Sequence, residues 1–523
     1  MTPVSGSAST DVTTGIENTG STEITEIAER ELATRSAVRI RPEPSRVIAK
    51  LFVPGEEVPE NESRTAAVIA RVLSLDEHQV AEVLTRTFES FDGRHRDLRG
   101  TFVSHFETIA HRIPRGEEVS ELRQLLIGSY FTHEYSIEGA ALCNPSMVAH
   151  PDQDGLADDQ TRFVLSARAI GEGHLSCIEL RTGVVGPGTR IEVDPITPFT
   201  SLGRVLPADY DRRLFESLLS EHADDDEVVA FLHRHLPARF SAEDLDHTLR
   251  NLPDGLTSRQ GTHRTIERIQ WIAASTYDLE FPPDTRLSER VLWPNGPTER
   301  RGMEDARFVR FTEDGGDASY YATYTAFDGS TVVPQRLQTK DFRVFHATQF
   351  SGPAAANKGM ALFPRKVGGR YLALSRWDRE NTSITTSADN QTWGEAHTIQ
   401  TPARSWELTQ IGNCGSPIET ERGWLVLTHG VGPMRTYSIG AILLDLEHPE
   451  RLIASLDDPL ISPDARERDG YVPNVVYSCG AMRHRDTLVV PYGISDNEIG
   501  FATVPIPALL ARMRPVASAN PSL

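Results

Sequence analysis

The sequence predicts a mainly β protein, a five-bladed β-propeller carrying a helical N-terminal module and a helical insertion. Three observations lead there. From residue 140 onward the chain breaks into short alternating apolar and polar runs with Gly, Asp and Asn at the joints, the period of half-buried strands. These runs form five loosely similar units, the last three recurring at roughly sixty residues, a spacing that suggests propeller blades. Ser387-Ala-Asp-Asn-Gln-Thr-Trp393 also matches a Ser-x-Asp-x-x-x-Trp turn common in propeller hairpins. A β-sandwich or two smaller β domains is the alternative.

Taken in order, residues 1–36 are rich in Ser, Thr, Gly and Glu and predict a disordered leader. Val38 to Pro54 alternates and reads as one or two strands. Between residues 64 and 128, apolar positions at three- and four-residue spacing (Val80, Val83, Leu84, Phe88) predict helices, giving a helical module over 37–130. Within it, Arg94-His95-Arg96 reads as a solvated turn, with a role at the edge of a site as the alternative. The propeller, expected over 131–510, has its first unit around Arg162–Leu180 and its second around Ala306–Thr325. The others fall around Met360–Thr386, Gly415–Leu444 and Val475–Thr503. Between the first and second, Tyr210–Leu219, Glu227–His235, Ala242–Leu249 and Thr265–Ser275 have helical periodicity, with Asp209 and Ser241 as expected N-caps. They define an insertion at about 203–285.

Composition narrows the function classes. The 523-residue chain carries a net charge of −21, which argues against nucleic acid or an anionic membrane as the main partner. An anionic ligand would need a local basic pocket against that field. The four cysteines, Cys143, Cys177, Cys414 and Cys479, are widely spaced and fit neither a zinc site nor a disulfide framework, pointing to a reducing cytoplasm. There is no run of eighteen apolar residues and no signal peptide pattern. Acids and histidines do not cluster at metal-ligand spacing, so neither a metal nor a cofactor is expected.

The chemistry is expected around Arg301-Gly-Met-Glu-Asp-Ala-Arg-Phe308, where Glu304 and Asp305 stand between two arginines at a strand entrance. Acids so placed are candidates for acid/base work, because neighbouring cations and burial set their pKa values apart. An isolated Glu-Asp is more often a salt-bridged loop. The odds change because every unit places a titratable group at a corresponding strand end: Arg168, Asp305 or Asp328, Arg376, His429 and Asp496. Trp377, Trp406 and Trp424 are all expected in the core, with Trp406, in a polar loop beside Glu407, the best candidate of the three to stack on a ligand instead.

In order along the chain stand Asn144-Pro-Ser146, the Glu304-Asp305-x-Arg307 box, Asn357-Lys358 before Leu362-Phe-Pro364, and Arg376. Pro417-Ile418, His429-Gly-Val431 and Tyr492-Gly-x-x-Asp496 follow. Over roughly residues 130–510 this set resembles glycoside hydrolase family 130, the β-mannoside phosphorylases and β-1,2-mannosidases. The N-terminal helices and the insertion lie outside the minimal pattern and suggest a longer branch. The resemblance implies inverting chemistry on β-mannosides. Asp305 would be the general acid, in some members through a hydroxyl of the bound mannosyl residue, with Glu304 and Arg307 fixing its charge state. Asn144, Ser146, Arg168 and Asp496 would hold the mannosyl unit, with Asp328 as a further binding position.

The nucleophile decides the reaction. A phosphorylase needs cations facing the anomeric carbon, for which Lys358, Arg376 and His429 are candidates, with Arg379 near them. A hydrolase needs a carboxylate to activate water, for which Glu407 or Glu419 could serve. Two departures from the family pattern matter. Ala306 stands where Pro follows the Asp, and Gln410 stands where a Lys precedes Ile-Gly, which removes one phosphate-binding cation. Phosphorolysis, hydrolysis and a catalytically inactive mannoside-binding propeller therefore remain open, with an oligosaccharide or mannosyl substrate and inorganic phosphate as the expected partners. The helices could cover the acceptor side of the pocket or build a contact between copies of the chain.

Overall fold

The computed structural model describes residues 31–54, 62–221 and 226–516. Most of the leader expected over 1–36 lies outside these residues. Its end does not, because strand Thr34–Ile40 starts inside it. The chain is mainly β. Its largest sheet has twelve strands and joins two antiparallel sets. The first set is Ala141–Ala149, Thr161–Ile170 and Ser176–Val185, and the second is Gly302–Thr312, Ala318–Phe327, Val332–Thr339 and Val344–Gln349. The two meet at a single parallel pair, Gly302 with Ser176. A four-stranded sheet spans Ala361 to Gln400, and a six-stranded sheet is centred on Gly423–Val431 and Tyr437–Leu444.

The last sheet joins the N-terminal strand to a late one. Its strand Glu498–Pro505 pairs on one side with Thr487–Ile494 and on the other with Thr34–Ile40, Thr34 opposite Thr503 and Ile40 opposite Ile499. The first strand of the described chain thus completes the last sheet. It also leads into Val47–Leu51, which pairs with Thr132–Ser136. Nearby, Arg46 and Arg181 face Glu138 and Glu179 in a fully buried group of four charges, with Arg46 Nε 2.9 Å from Glu138 and Arg181 Nη1 2.6 Å from Glu179. Removing one member of such a group would strand a buried charge, which is why it holds the segments together.

Helices Glu62–Leu73, Glu77–Phe91, Leu98–Ile109 and Glu121–Tyr130 bury Val80, Leu84, Phe102, Phe106, Leu126 and Ile127 in a core of their own. Asp76 caps the second through a capping box with Gln79. Arg94-His95-Arg96 is no solvated turn. Arg94 and His95 both reach Glu134 at 2.8 Å, and Arg96 reaches Glu289 at 2.6 Å, so the basic run clamps helices to strands.

The insertion is helical over Arg212–Ser220, Asp226–His235, Ala242–Arg250, Asp254–Thr257 and Gln260–Ala274, with a separate core around Phe215, Leu219, Leu232 and Ile269. Ser241 caps its helix as expected. The first cap is Asp211 rather than Asp209, because Tyr210–Asp211 pairs with Arg239–Phe240 before the helix can begin. Strands Arg204–Pro207 and Tyr277–Glu280 flank the helices, pair with each other, and extend the second strand set through Val344–Gln349.

Candidate active site

The Glu304–Asp305 step depends on an irregularity. On a regular strand, neighbouring side chains point to opposite faces. Pairing of Gly302–Thr312 with Ala318–Phe327 shifts register between Glu304 and Arg307, and Asp305 takes φ 55°. Pairing of Ala141–Ala149 with Thr161–Ile170 shifts between Cys143 and Ser146, and Asn144 takes φ 49°. Bulges re-aim side chains at the cost of strain, and Asn and Asp tolerate this left-handed backbone best. Pro145 suits the second bulge because its missing N–H takes no ladder bond.

The two bulges bring four groups together. Asn144 Nδ2 donates to Asp305 Oδ1 at 2.7 Å, and Arg168 Nη2 donates to Glu304 Oε1 at 2.7 Å. Arg168 Nη1 stands 3.6 Å from Asp305 Oδ1, so one guanidinium engages both acids. Lys358 Nζ, half-exposed, donates to the other Glu304 oxygen at 2.5 Å. Burial would raise the Asp305 carboxyl, but the charges of Arg168, Arg307 and Lys358 and the Asn144 bond outweigh it, and the group lies below its ordinary value. Burial and the Asp305 charge push Asp496 the other way, up to about 6, with Arg168 and Arg435 opposing. Two carboxyls in one site are thereby separated in their affinity for a proton.

Ser146, expected to hold the mannosyl unit, and Arg307, expected to fix the charge state of Asp305, both turn to the protein. Arg307 is fully buried; its Nε donates to the Cys414 carbonyl at 2.9 Å, Nη1 to the Asp305 carbonyl at 2.8 Å, and Nη2 to the Tyr477 hydroxyl at 2.9 Å. It holds the backbone of Asp305 instead of facing a ligand. Ser146 Oγ, also fully buried, accepts the Phe308 N–H at 3.1 Å and stitches two strands together. A third expectation fails differently. The Asp328 carboxylate accepts the N–H groups of Ser330 and Thr331 at 2.7 Å, so it closes its own turn.

Arg376 is placed by glycines. A Cβ on Gly412 would lie 2.2 Å from Arg376 Cδ, and one on Gly359 would lie 2.9 Å away, so both positions must lack side chains for the arginine to pass. The Arg376 side chain makes no hydrogen bond or ion pair among the described residues, and its Nε is buried without a partner. His429 lies against it, fully buried, with neither ring nitrogen in a hydrogen bond of normal geometry. Burial first, then the charges of Arg376 and Arg307, hold His429 well below its ordinary pKa, so the ring is neutral. Tyr477 meets the His429 ring at 4.8 Å edge-on and Tyr437 stacks at 6.1 Å. Gln410 Nε2 reaches the Tyr437 hydroxyl at 3.5 Å. Arg435 lies over the Tyr437 ring, 5.8 Å from its centroid. Around the site stand five cations (Arg168, Arg307, Lys358, Arg376, Arg435) and three carboxyls (Glu304, Asp305, Asp496). In a chain of net charge −21, that is a local excess of positive charge.

Each of the two expected hydrolytic bases is paired with an arginine. Glu407 pairs with Arg404 at 3.0 Å and accepts the N–H groups of Ala403 and Arg404 at 3.2 Å, closing a local turn. Glu419 pairs with Arg365 at 2.7 Å and lines a 360 Å³ cavity with Met147, Phe308 and Met482, beyond the far ends of the strands that carry Asn144 and Asp305. Arg379 points to Asn357 Oδ1 at 2.7 Å. Trp424 is in the core as expected, but Trp377 is exposed, and Trp406 packs its ring on Gly430 and Gly440 while its N–H donates to the Asp457 carbonyl. Sequence reasoning missed Tyr477 and Tyr437, which stand at strand ends and come to His429 only through the tertiary fold.

Residues 283–514 match the profile of a family described as beta-1,4-mannooligosaccharide phosphorylase. The chain is 36% identical over 228 residues to the 1,2-beta-oligomannan phosphorylase of Thermoanaerobacter sp. (strain X514), covering 42% of this chain and 73% of that protein. It is 34% identical over 225 residues to a beta-1,2-mannobiose phosphorylase of the same organism, covering 42% and 72%. A solved beta-1,2-mannobiose phosphorylase from Listeria innocua superposes with a TM-score of 0.43 at 22% identity, covering 72% of this chain and 92% of that one.

Proposed function

The chain belongs to glycoside hydrolase family 130, and from that premise we propose that it is a β-mannoside phosphorylase, acting on β-1,2 linkages with inversion. The observation that carries phosphorolysis over hydrolysis is Arg376: a guanidinium with no acidic partner among the described residues, beside a neutral histidine. An unpaired cation of this kind is built to meet an anion. Both carboxylates that could have served a hydrolase are instead paired with arginines.

In this reading Arg376, Lys358 and His429 bind inorganic phosphate as co-substrate, with Tyr437 and Gln410 beside them where the family has a lysine. Asn144, Arg168 and Asp496 hold the mannosyl unit, Glu304 orients Arg168 and Lys358, and Asp305 is the proton donor. The bond from C1 to the departing sugar oxygen breaks, a bond from C1 to a phosphate oxygen forms on the opposite face, and the departing oxygen takes the Asp305 proton. A phosphate dianion next to Lys358 would offset one of the charges that lower Asp305, and so shift that carboxyl toward its protonated form. The product is α-mannose 1-phosphate.

We further read the five antiparallel strand sets as five propeller blades, closed by the pairing of Thr34–Ile40 with Glu498–Pro505. The helical segments would stand outside them as an N-terminal module and an insertion. All four cysteines are free, which suits a reducing cytoplasm. A paired assay tests the function: β-1,2-mannobiose with and without phosphate, and synthesis from α-mannose 1-phosphate. Phosphate-dependent mannose 1-phosphate supports the proposal. Free mannose released at the same rate without phosphate refutes it.

A further inference from the structure

We propose that Glu467 is a positioning residue for Asp496, and that through it the N-terminal strand becomes part of the support of the sugar site. The inference rests on the reading of Asp496 as a carboxyl that holds the mannosyl unit. Asp496 lies in the turn between Thr487–Ile494 and Glu498–Pro505, where Ser495 and Asp496 both have φ 48°. Two successive non-glycine residues in the left-handed region are strained, and they persist only where their surroundings over-determine them.

The surroundings here are one segment, residues 462–475. The Ser495 N–H donates to the Val475 carbonyl at 2.7 Å, and the Ser495 carbonyl accepts the Val472 N–H at 2.9 Å. The Ser495 hydroxyl donates to the Glu467 carbonyl at 2.6 Å. Every polar group of Ser495 is thus held by that segment. A Cβ on Gly470 would stand 2.6 Å from the Ser495 Cβ, so the segment lies flat against the turn.

The segment is in turn fixed by the Glu467 side chain, which is 2% exposed. Its carboxylate accepts the Tyr492 hydroxyl at 2.7 Å and lies 3.3 Å from Arg35 Nη2 and 3.8 Å from Arg39 Nη2. Arg35 Nη2 also donates to the Ser462 carbonyl at 2.6 Å. Both arginines belong to strand Thr34–Ile40. At its other end the segment is pinned by Tyr471, hydrogen-bonded to His174 next to the strand that carries Arg168. The path Arg35–Glu467–Ser495–Asp496 therefore runs from the N-terminal strand to the pocket, through groups that touch no substrate. A cluster that merely staples the N-terminal strand would need Arg35, Arg39 and Tyr492, but not the bond from Ser495 to Glu467.

The test uses the full chain and the variants Glu467→Gln, Ser495→Ala and Ser495→Gly. We expect Glu467→Gln and Ser495→Ala to raise KM for β-1,2-mannobiose about tenfold, as loosening one charge-assisted hydrogen bond would, while KM for phosphate stays within about twofold. Ser495→Gly relieves the left-handed strain yet lacks the hydroxyl, and is expected to behave like Ser495→Ala. Leu84→Ala, in the separate core of the N-terminal helices, is the control for lost stability and should not move KM. If Glu467→Gln fails to fold, Ser495→Ala carries the test. Variants that melt earlier but keep the wild-type KM for mannoside overturn the proposal. If the wild type itself shows no phosphorolysis, the functional reading has failed, and amide exchange at 495–497 decides the positioning claim: faster exchange there in Glu467→Gln supports it, and unchanged exchange overturns it.

Discussion

Replacing Arg376 by methionine should separate anion binding from folding. In the phosphate-free protein the guanidinium has no partner to lose, and its Nε is already desolvated without a hydrogen bond. Methionine keeps the stem that passes between Gly359 and Gly412. Stability should therefore change by less than about 1 kcal/mol, and upward if at all, since an unpaired buried donor is a cost. With phosphate the picture reverses. A guanidinium offers a phosphate two parallel charge-assisted bonds, together worth about 3–4 kcal/mol. At 1.4 kcal/mol per tenfold, KM for phosphate should rise roughly 100- to 1,000-fold, while KM for the mannoside moves by less than about threefold. A thermal scan gives an independent measure. Phosphate at a hundred times its Kd stabilises the wild type by about 2.7 kcal/mol, and the variant should lose that gain. A phosphate KM within threefold of wild type, or a clear drop in Tm without phosphate, would refute the reasoning, because either would mean Arg376 is already satisfied by the protein.

Asp305→Asn should lower kcat by about 10²–10⁴, the range of a lost general acid, with KM for phosphate little changed in initial-rate assays. Arg307→Met should cost about 3–5 kcal/mol in denaturant unfolding, because it strands the carbonyls of Cys414 and Asp305, and it should lower kcat more than it raises KM for phosphate. Asp496 has a folded pKa of about 6, above its ordinary 3.8, so the folded state binds the extra proton, and this contribution is lost as pH rises through 6. Asp496→Asn should then be more stable than wild type above pH 7, on the order of 2 kcal/mol, with no advantage below pH 4. Glu419→Ala should leave both activity and stability near wild type, within about 0.5 kcal/mol, since its pair with Arg365 is exposed.

Much of the fold was readable because it rests on local pattern. Alternation located the strands, three- and four-residue spacing located both helical segments, and Ser387-x-Asp389 before Trp393 marked a turn in which Asp389 accepts the Gln391 and Thr392 N–H groups and Trp393 is fully buried. The errors come where a local motif was given a long-range meaning. Asp209 lost the capping position to Asp211 through a two-residue strand pairing, and Arg94-His95-Arg96 had partners forty and nearly two hundred residues away. Asp328 occupies the position in its unit that Asp496 occupies in the last one, yet it closes its own turn, because the N–H groups of Ser330 and Thr331 lie within reach.

By itself, then, the sequence determined which chemistry-bearing residues were present and in what order: an acid pair between arginines, and one polar group at the strand end of each unit. It could not decide which of them face a ligand. That depended on two bulges that turn Asn144 and Asp305 into the same space, on glycines at 359 and 412 that let Arg376 through without an acidic partner, and on pairings that commit Arg307, Ser146, Glu407 and Glu419 to the protein. The physical reason is one of range. Strand and helix periodicity are set by neighbours a few residues apart, whereas the state of a charged group is set by whatever the closed fold brings within hydrogen-bonding distance of it.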